Sequence, residues 1–369
     1  MDKRTFLKNS GLLGLGLLGA ATAPWLTSCA PANGAELPHN WMWFHAHMER
    51  TDEEWESILL TLKSAGITGI LIGGGRPMLS RIIPMADKHG MDVHAWMWTL
   101  NRNGDQEALK HPDWYAVSRD GNSCFDVRPY VDYYQWVCPS KEEVYQHILQ
   151  QVTELCGVPG LKGVHLDYVR YSDVILPEAL QPVYNLVQDK EYPEFDFCYC
   201  PTCREKFKKA YGIDIQTVED PTSLLEWRQY RYDSVTKLVN RLSKEVRQRN
   251  KLITAAVFPY PELARTICRQ SWDEWHLDAV FPMLYQNFYN KPVEWISYAT
   301  KKGITDTRGK VPLYAGLFLP ELSGEDLKIA IDYSLEAGAS GVAVFDYGSF
   351  SEAHQEAFKT ALLERDTGK

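Results

Sequence analysis

The sequence predicts an α/β chain closed into a (β/α)8 barrel, with long loops after the third and fourth strands. Three observations predict it. Eight short apolar runs recur along the chain. Segments of helical period lie between them. The two longest connections each follow an apolar run and precede a helical one.

The apolar runs are 41–48 (WMWFHAHM), 67–74 (ITGILIGG), 91–99 (MDVHAWMWT), 161–169 (LKGVHLDYV), 252–259 (LITAAVFP), 277–285 (LDAVFPMLY), 311–319 (VPLYAGLFL) and 339–347 (ASGVAVFDY). They are rich in Val, Ile, aromatics and small residues and nearly free of charge, as strands buried on both faces of a parallel sheet are. Between them, residues 52–65 place Trp55, Ile58, Leu59 and Leu62 on one helical stripe, and Gly66 follows as a stop. Residues 140–156 open on Ser140 and acidic residues, an N-cap pattern. A long amphipathic helix is predicted over 223–248, and another over 323–337, ending at Gly338. Strands alternating with helices imply βα units and a parallel sheet.

The long connections run from Asn101 to Pro139 and from Tyr171 to about Pro221. Each lies after a strand, hence on the C-terminal face, where barrel enzymes build their sites. Long loops there shape a cleft.

The N-terminus carries a different message. Residues 2–8 (DKRTFLK) are polar and basic, and residues 11–23 are apolar with small residues. That is the order of a secretory signal peptide, and the apolar run is too short to span a bilayer. LTSC, ending at Cys29, resembles the bacterial lipobox, in which the cysteine takes the lipid. KRTFLK resembles a twin-arginine signal with Lys3 in place of the first arginine, which leaves the general and twin-arginine export routes both open. The expected organisation is a signal peptide at 1–28, lipidation at Cys29, a linker at 29–40 and one barrel catalytic domain at 41–365. The mature protein is then expected on the membrane, in the periplasm or at the cell surface. The net charge is −9, and the leader contributes net positive charge, so the exported body is more acidic still. An acidic body argues against a nucleic-acid partner.

Seven cysteines follow Cys29. Cys198, Cys200 and Cys203 form C-x-C-x2-C, the spacing of a structural zinc site that needs a fourth ligand, from Cys268 or a nearby histidine. Export makes a disulfide the rival reading. Either would pin the long fourth loop.

Chemistry is expected at the strand ends. In LKGVHLDYV, alternation puts Val164 and Leu166 toward the helices and His165 and Asp167 into the barrel, with Asp167 near its mouth. Asp346 ends the eighth run in the same way, and Glu262 lies a few residues beyond the fifth. Glycoside cleavage generally uses two carboxyl groups flanking the bond and no cofactor. Asp167 is the first candidate and Glu262 or Asp346 the second; Asp126, Asp132 and Asp173 are outside candidates. Substrate contacts are expected from His45, His47, Trp96, Trp98, His165, Tyr168, Arg170, Tyr260, Tyr285, Gln286 and Tyr347. Aromatic rings at the mouth would stack against sugar faces.

KGVHLDYVRY, CYCPTCREKFKKAYG, WRQYRYDSVTKLVNRL and DAVFPMLY, together with HAWMWTLN and HPDWYAV, resemble the glycosyl hydrolase-like family ten barrels of bacterial exported and lipid-anchored proteins. The resemblance covers most of residues 41–350, and HLDYVRY is its most specific element. It implies a (β/α)8 fold and glycosidase activity, with members linked to peptidoglycan glycan strands, and it sets the family's HLDY aspartate on Asp167. After the second strand the chain carries IGGGRP, where many members are more polar.

Two other classes compete. His45 and His47 form H-x-H, which together with Asp346 resembles a metal-dependent amidohydrolase; such sites usually take further imidazoles from the fifth and sixth strands. There AAVFPYP and AVFPMLYQ have none, and His276 precedes the sixth strand. The third class is a non-catalytic glycan-binding barrel.

Overall fold

A computed structural model describes residues 37–366; the leader, Cys29 and the linker up to residue 36 lie outside them. Each predicted apolar run coincides with one strand, the first starting one residue earlier than its run: β1 Asn40–Phe44, β2 Gly69–Ile72, β3 Asp92–Trp98, β4 Gly163–Asp167, β5 Leu252–Val257, β6 Ala279–Pro282, β7 Tyr314–Phe318 and β8 Gly341–Phe345. All are parallel, in the order β6-β5-β4-β3-β2-β1-β8-β7. Two isolated parallel bridges, Val280 with Leu313 and Met283 with Gly316, draw β6 to β7 and bring the barrel nearly closed.

The helices α1 Asp52–Ser64, α2 Gly75–Lys88, α3 Glu142–Cys156, α4 Pro201–Tyr211, α5 Leu225–Gln248, α6 Pro261–Cys268, α7 Trp295–Asp306, α8 Gly324–Glu336 and α9 Glu352–Asp366 complete the chain. Among the described residues no helix is long and apolar enough to cross a membrane. Thr51 caps α1 in a reciprocal capping box with Glu54. Ser323 caps α8 through the Asp326 amide. Ser140 does not cap α3, which starts two residues later; its hydroxyl instead bonds Ser234 on α5 at 3.0 Å.

Alternation along the strands sorts the core as expected. Val164 and Leu166 are fully buried among the helices with Ile148 and Val152. The opposite faces fill the barrel with Trp41, Trp43, Trp96, Phe281 and Tyr314. Such large rings fit because a neighbouring strand yields space. A Cβ on Gly69 would lie 2.2 Å from the Trp41 ring, so only glycine serves there. At the N-terminal end of the barrel Leu37 is buried in the same cluster, and the Pro38 carbonyl accepts from the Trp41 indole at 2.9 Å.

The two long loops are tied to each other and to α5. Ser118 pairs with Phe197 in an antiparallel bridge, and the Tyr199 amide donates to the Val117 carbonyl at 2.7 Å. Below that seam Asp196 and Arg231 are both fully buried and ion-paired, and the Tyr199 hydroxyl donates to the same carboxylate at 2.7 Å.

Candidate active site

The C-terminal ends of the strands and the two long loops enclose a cavity of about 510 Å³. Its floor is Trp43, Trp96, Ala256, Met283 and Phe345, from the strands and their ends. Tyr130, Tyr133 and Tyr134 line it from the third loop, and Leu176, Leu180 and Tyr184 from the fourth.

Asp167 closes β4 and reaches this floor. Its Oδ2 accepts from the Trp96 indole Nε1–H at 3.0 Å, and its Oδ1 from the Tyr168 backbone amide at 2.6 Å. Tyr168 has φ of +47°, a left-handed conformation that costs about 1–2 kcal/mol outside glycine. That bend accompanies the amide's contact with the carboxylate and the Tyr168 ring's contact with Trp98, 4.8 Å between centroids. Burial raises the pKa of Asp167 above the ordinary carboxylate range, against the pull of the two N–H donors and the Arg170 charge.

Arg170 does not pair with Asp167. Its guanidinium is buried and donates to Asp173 Oδ2 at 3.0 Å, over the rings of Trp136 and Phe258 at 4.8 Å each. Asp173 lines the cavity, but its charge is met by that arginine. Asp126 and Asp132 are exposed on the third loop.

The second carboxylate that the fold brings toward Asp167 is Asp346, directly after β8. Its Oδ2 lies 3.7 Å from Nε2 of His45, which follows β1 and lines the cavity. The His45 ring in turn lies 5.1 Å from Trp96, the partner of Asp167. Tyr285 senses both acids: burial first, then the charges of Asp167 and Asp346, drive its phenol well above its usual range. Glu262 is not in this group. It sits in the first turn of α6 with its side chain 73% exposed and pairs with Lys302 on α7 at 3.1 Å.

Of the expected substrate contacts, His45, Trp96, Trp98, Tyr168, Arg170 and Tyr285 line the cavity. The others stand elsewhere. His165 is wholly buried beneath it, against Trp43 and Phe281, with Nδ1 2.9 Å from the Thr254 hydroxyl; burial drives its pKa well down, so it is neutral. His47 turns to Glu49 at 2.8 Å, Tyr260 packs on Trp295 and Tyr298, and Tyr347 stacks on Phe44. Gln286 is buried outside the lining. The loop tyrosines were missed: VRPYVDYY has no strand or helix period to orient it, and its density of tyrosine was the only signal.

His45, His47 and Asp346 do not gather around one point. Among the described residues, the group of His, Cys, Asp or Glu side chains that could converge on one ion is Cys138, Cys198, Cys200 and Cys203, away from the cavity lining. The fourth thiol is therefore Cys138. Cys268 instead points its thiol at the Ala264 carbonyl within α6, 3.4 Å away.

The model of a family described as glycosyl hydrolase-like 10 matches residues 49–319. Among curated proteins no sequence matches the chain. Solved structures share its fold at low identity. The glycoside hydrolase domain of PgaB (BpsB) from Bordetella bronchiseptica superposes with a TM-score of 0.64 at 12% identity, over 88% of this chain and 98% of that one. A β-galactosidase from the psychrophilic Marinomonas ef1 gives 0.62 at 11%, over 89% of this chain and 60% of the other. The catalytic domain of a β-amylase from Paenibacillus polymyxa gives 0.60 at 10%, over 89% and 98%.

Proposed function

The chain belongs to the glycosyl hydrolase-like 10 family, and from that premise we propose that it hydrolyses a glycosidic bond in the cavity at the mouth of its barrel. The observation that carries this reading is Asp167 on the floor of an aromatic-walled cavity, joined through Trp96 and His45, which also line it, to the carboxylate of Asp346 just behind the lining.

The two acids have different surroundings and so different roles. Both oxygens of Asp167 accept N–H donors. The two donors stabilise the ionised form against the burial that raises its pKa, and they fix its lone pairs for attack on the anomeric carbon or activation of a water there. Asp346 is less enclosed and stands by His45. It gives its proton to the departing glycosidic oxygen; water supplies the hydroxyl to the anomeric carbon and returns a proton to a carboxylate. Tyrosine and tryptophan walls offer flat apolar faces with polar edges, which is how sugar rings are held.

The substrate in this reading is an extracytoplasmic polysaccharide or oligosaccharide, peptidoglycan glycan strands among them, and the protein is exported and anchored through Cys29. The basic start, the apolar run and LTSC support the location. The test is release of new reducing ends by the purified protein from peptidoglycan sacculi and a panel of bacterial polysaccharides, with Asp167→Asn as the control. Equal release by wild type and variant, or none from any of them, overturns the reading.

A further inference from the structure

Cys138 ends the loop after β3, and Cys198, Cys200 and Cys203 belong to the loop after β4. The first stands 60 to 65 positions before the others, yet the four sulfurs lie within 4.8 Å of one another and all four side chains are buried. We propose that these four thiolates hold one Zn²⁺, which clamps the two long loops together and thereby holds the aromatic wall of the cavity.

The spacing is that of a metal tetrahedron. With Zn–S bonds of about 2.3 Å, the edges of an S4 tetrahedron are about 3.8 Å. Cys138 Sγ lies 3.4 Å from Cys203 Sγ and 3.7 Å from Cys200 Sγ. A disulfide requires about 2.05 Å, and none of the four is bonded to another. Three ligands come from one short segment. Cys200 is the N-cap of α4 and Cys203 stands in its first turn, where the helix dipole and free amides favour negative sulfur. The Val117 amide donates to Cys198 Sγ at 3.3 Å, so the third loop supplies a backbone donor as well as a ligand. Four protein ligands leave no open position, which marks the site as structural. In an oxidising compartment four free thiols this close would be prone to pair.

The clamp reaches the cavity through the residues just before Cys138. Trp136 packs on Tyr134 at 5.3 Å and on Tyr168 at 5.7 Å. Tyr130, four residues before Tyr134, stacks on Phe195 of the fourth loop at 4.3 Å. Fixing Cys138 against the CYCPTC segment therefore fixes both loops at the point where they meet under the wall. This inference stands whether or not the cavity hydrolyses glycans.

The test begins with elemental analysis of the chain purified without chelator, expected to show one zinc per molecule. Cobalt substitution should then give the absorption of thiolate bound to a tetrahedral metal. Cys138→Ser should lower zinc content, while Cys268→Ser should keep it. Should Cys138→Ser fail to fold, zinc can be displaced from the wild type by a mercurial and limited proteolysis followed. Cleavage is expected within 101–139 and 171–221 while the rest of the barrel stays resistant. Zinc-free protein, disulfides among these cysteines, iron in place of zinc, or unchanged protection of both loops after zinc is displaced would each overturn the proposal.

Discussion

The Trp96 indole donates its N–H to Asp167 Oδ2 at 3.0 Å, across the β3–β4 pair in which Trp98 stands beside Asp167. A tryptophan that also forms the floor of the cavity thus helps to set the ionisation of the carboxylate it supports. Burial holds the Asp167 carboxyl above its ordinary range, and the indole N–H works against that shift. If the ionised form is the working one, activity falls as pH drops through this raised value. Trp96→Phe keeps a ring on the floor but removes the donor, so the acid limb of the kcat profile should move to higher pH, by up to about one unit if the bond is worth the ~1–1.5 kcal/mol of a typical hydrogen bond. An unmoved limb would separate Asp167 from the titrating group.

Asp167→Asn should fold, bind glycan and lose about 10²–10⁴ in kcat, the usual contribution of a general acid or base. Its stability follows from two opposed effects. A carboxyl whose folded pKa is raised favours the fold at low pH and loses that contribution as pH rises through the folded value, so removing the charge helps at neutral pH. The new amide, however, faces one of the two N–H donors. Melting curves of both proteins at neutral pH should therefore lie close together. A large loss of stability with normal turnover per folded molecule would reduce Asp167 to a structural residue.

Asp346→Asn and Glu262→Gln separate the two candidates for the second acid. The first should reduce kcat by about 10²-fold or more. The second changes an exposed ion pair, worth about 0–1 kcal/mol, and should leave turnover within twofold. The reverse pattern in steady-state rates would exchange their roles.

The buried pair beneath the loops gives a pH-dependent stability. Burial alone would raise the Asp196 carboxyl, but the charges of Arg231 and Arg269, the Tyr199 hydroxyl and Arg119 outweigh it and hold it below the ordinary range. Its stabilising contribution is therefore present above the unfolded pKa and is lost as pH falls through the lower folded value. Arg231→Met leaves the carboxylate buried with less compensation and should cost about 3–5 kcal/mol, read by denaturant unfolding at neutral pH. The variant should also lose less stability on acidification than the wild type. Equal acid slopes would count against the pair.

The anchor is tested by Cys29→Ala, which should move the protein from the membrane fraction to the soluble one or leave the precursor unprocessed. Unchanged membrane partition of the variant would remove the lipid from the account.

The strands were readable because both of their faces are buried, which leaves a run of apolar residues with little else in it. Alternation then placed Asp167 correctly, since period two leaves little freedom over five residues. Glu262 was misplaced because distance past a strand end does not fix direction. Pro261 starts α6 at once, and the turn carries Glu262 outward to Lys302. Helix α2 was not foreseen, because three glycines at its start and Pro84 within it mask the buried stripe of Met78, Leu79, Ile82 and Ile83. Neither the loop tyrosines nor Cys138 could be assigned. Their positions depend on contacts between two irregular loops, and no local period encodes those.

The buried Leu37 and the Pro38–Trp41 bond fix where the chain enters the barrel: at the N-terminal end, opposite the cavity. With a lipid on Cys29, the eight residues from there to Leu37 reach at most about 29 Å. The attachment would then lie at the barrel end opposite the cavity. An anchor there would attach the protein on the side away from its mouth, leaving the mouth free for polymer strands above the membrane plane.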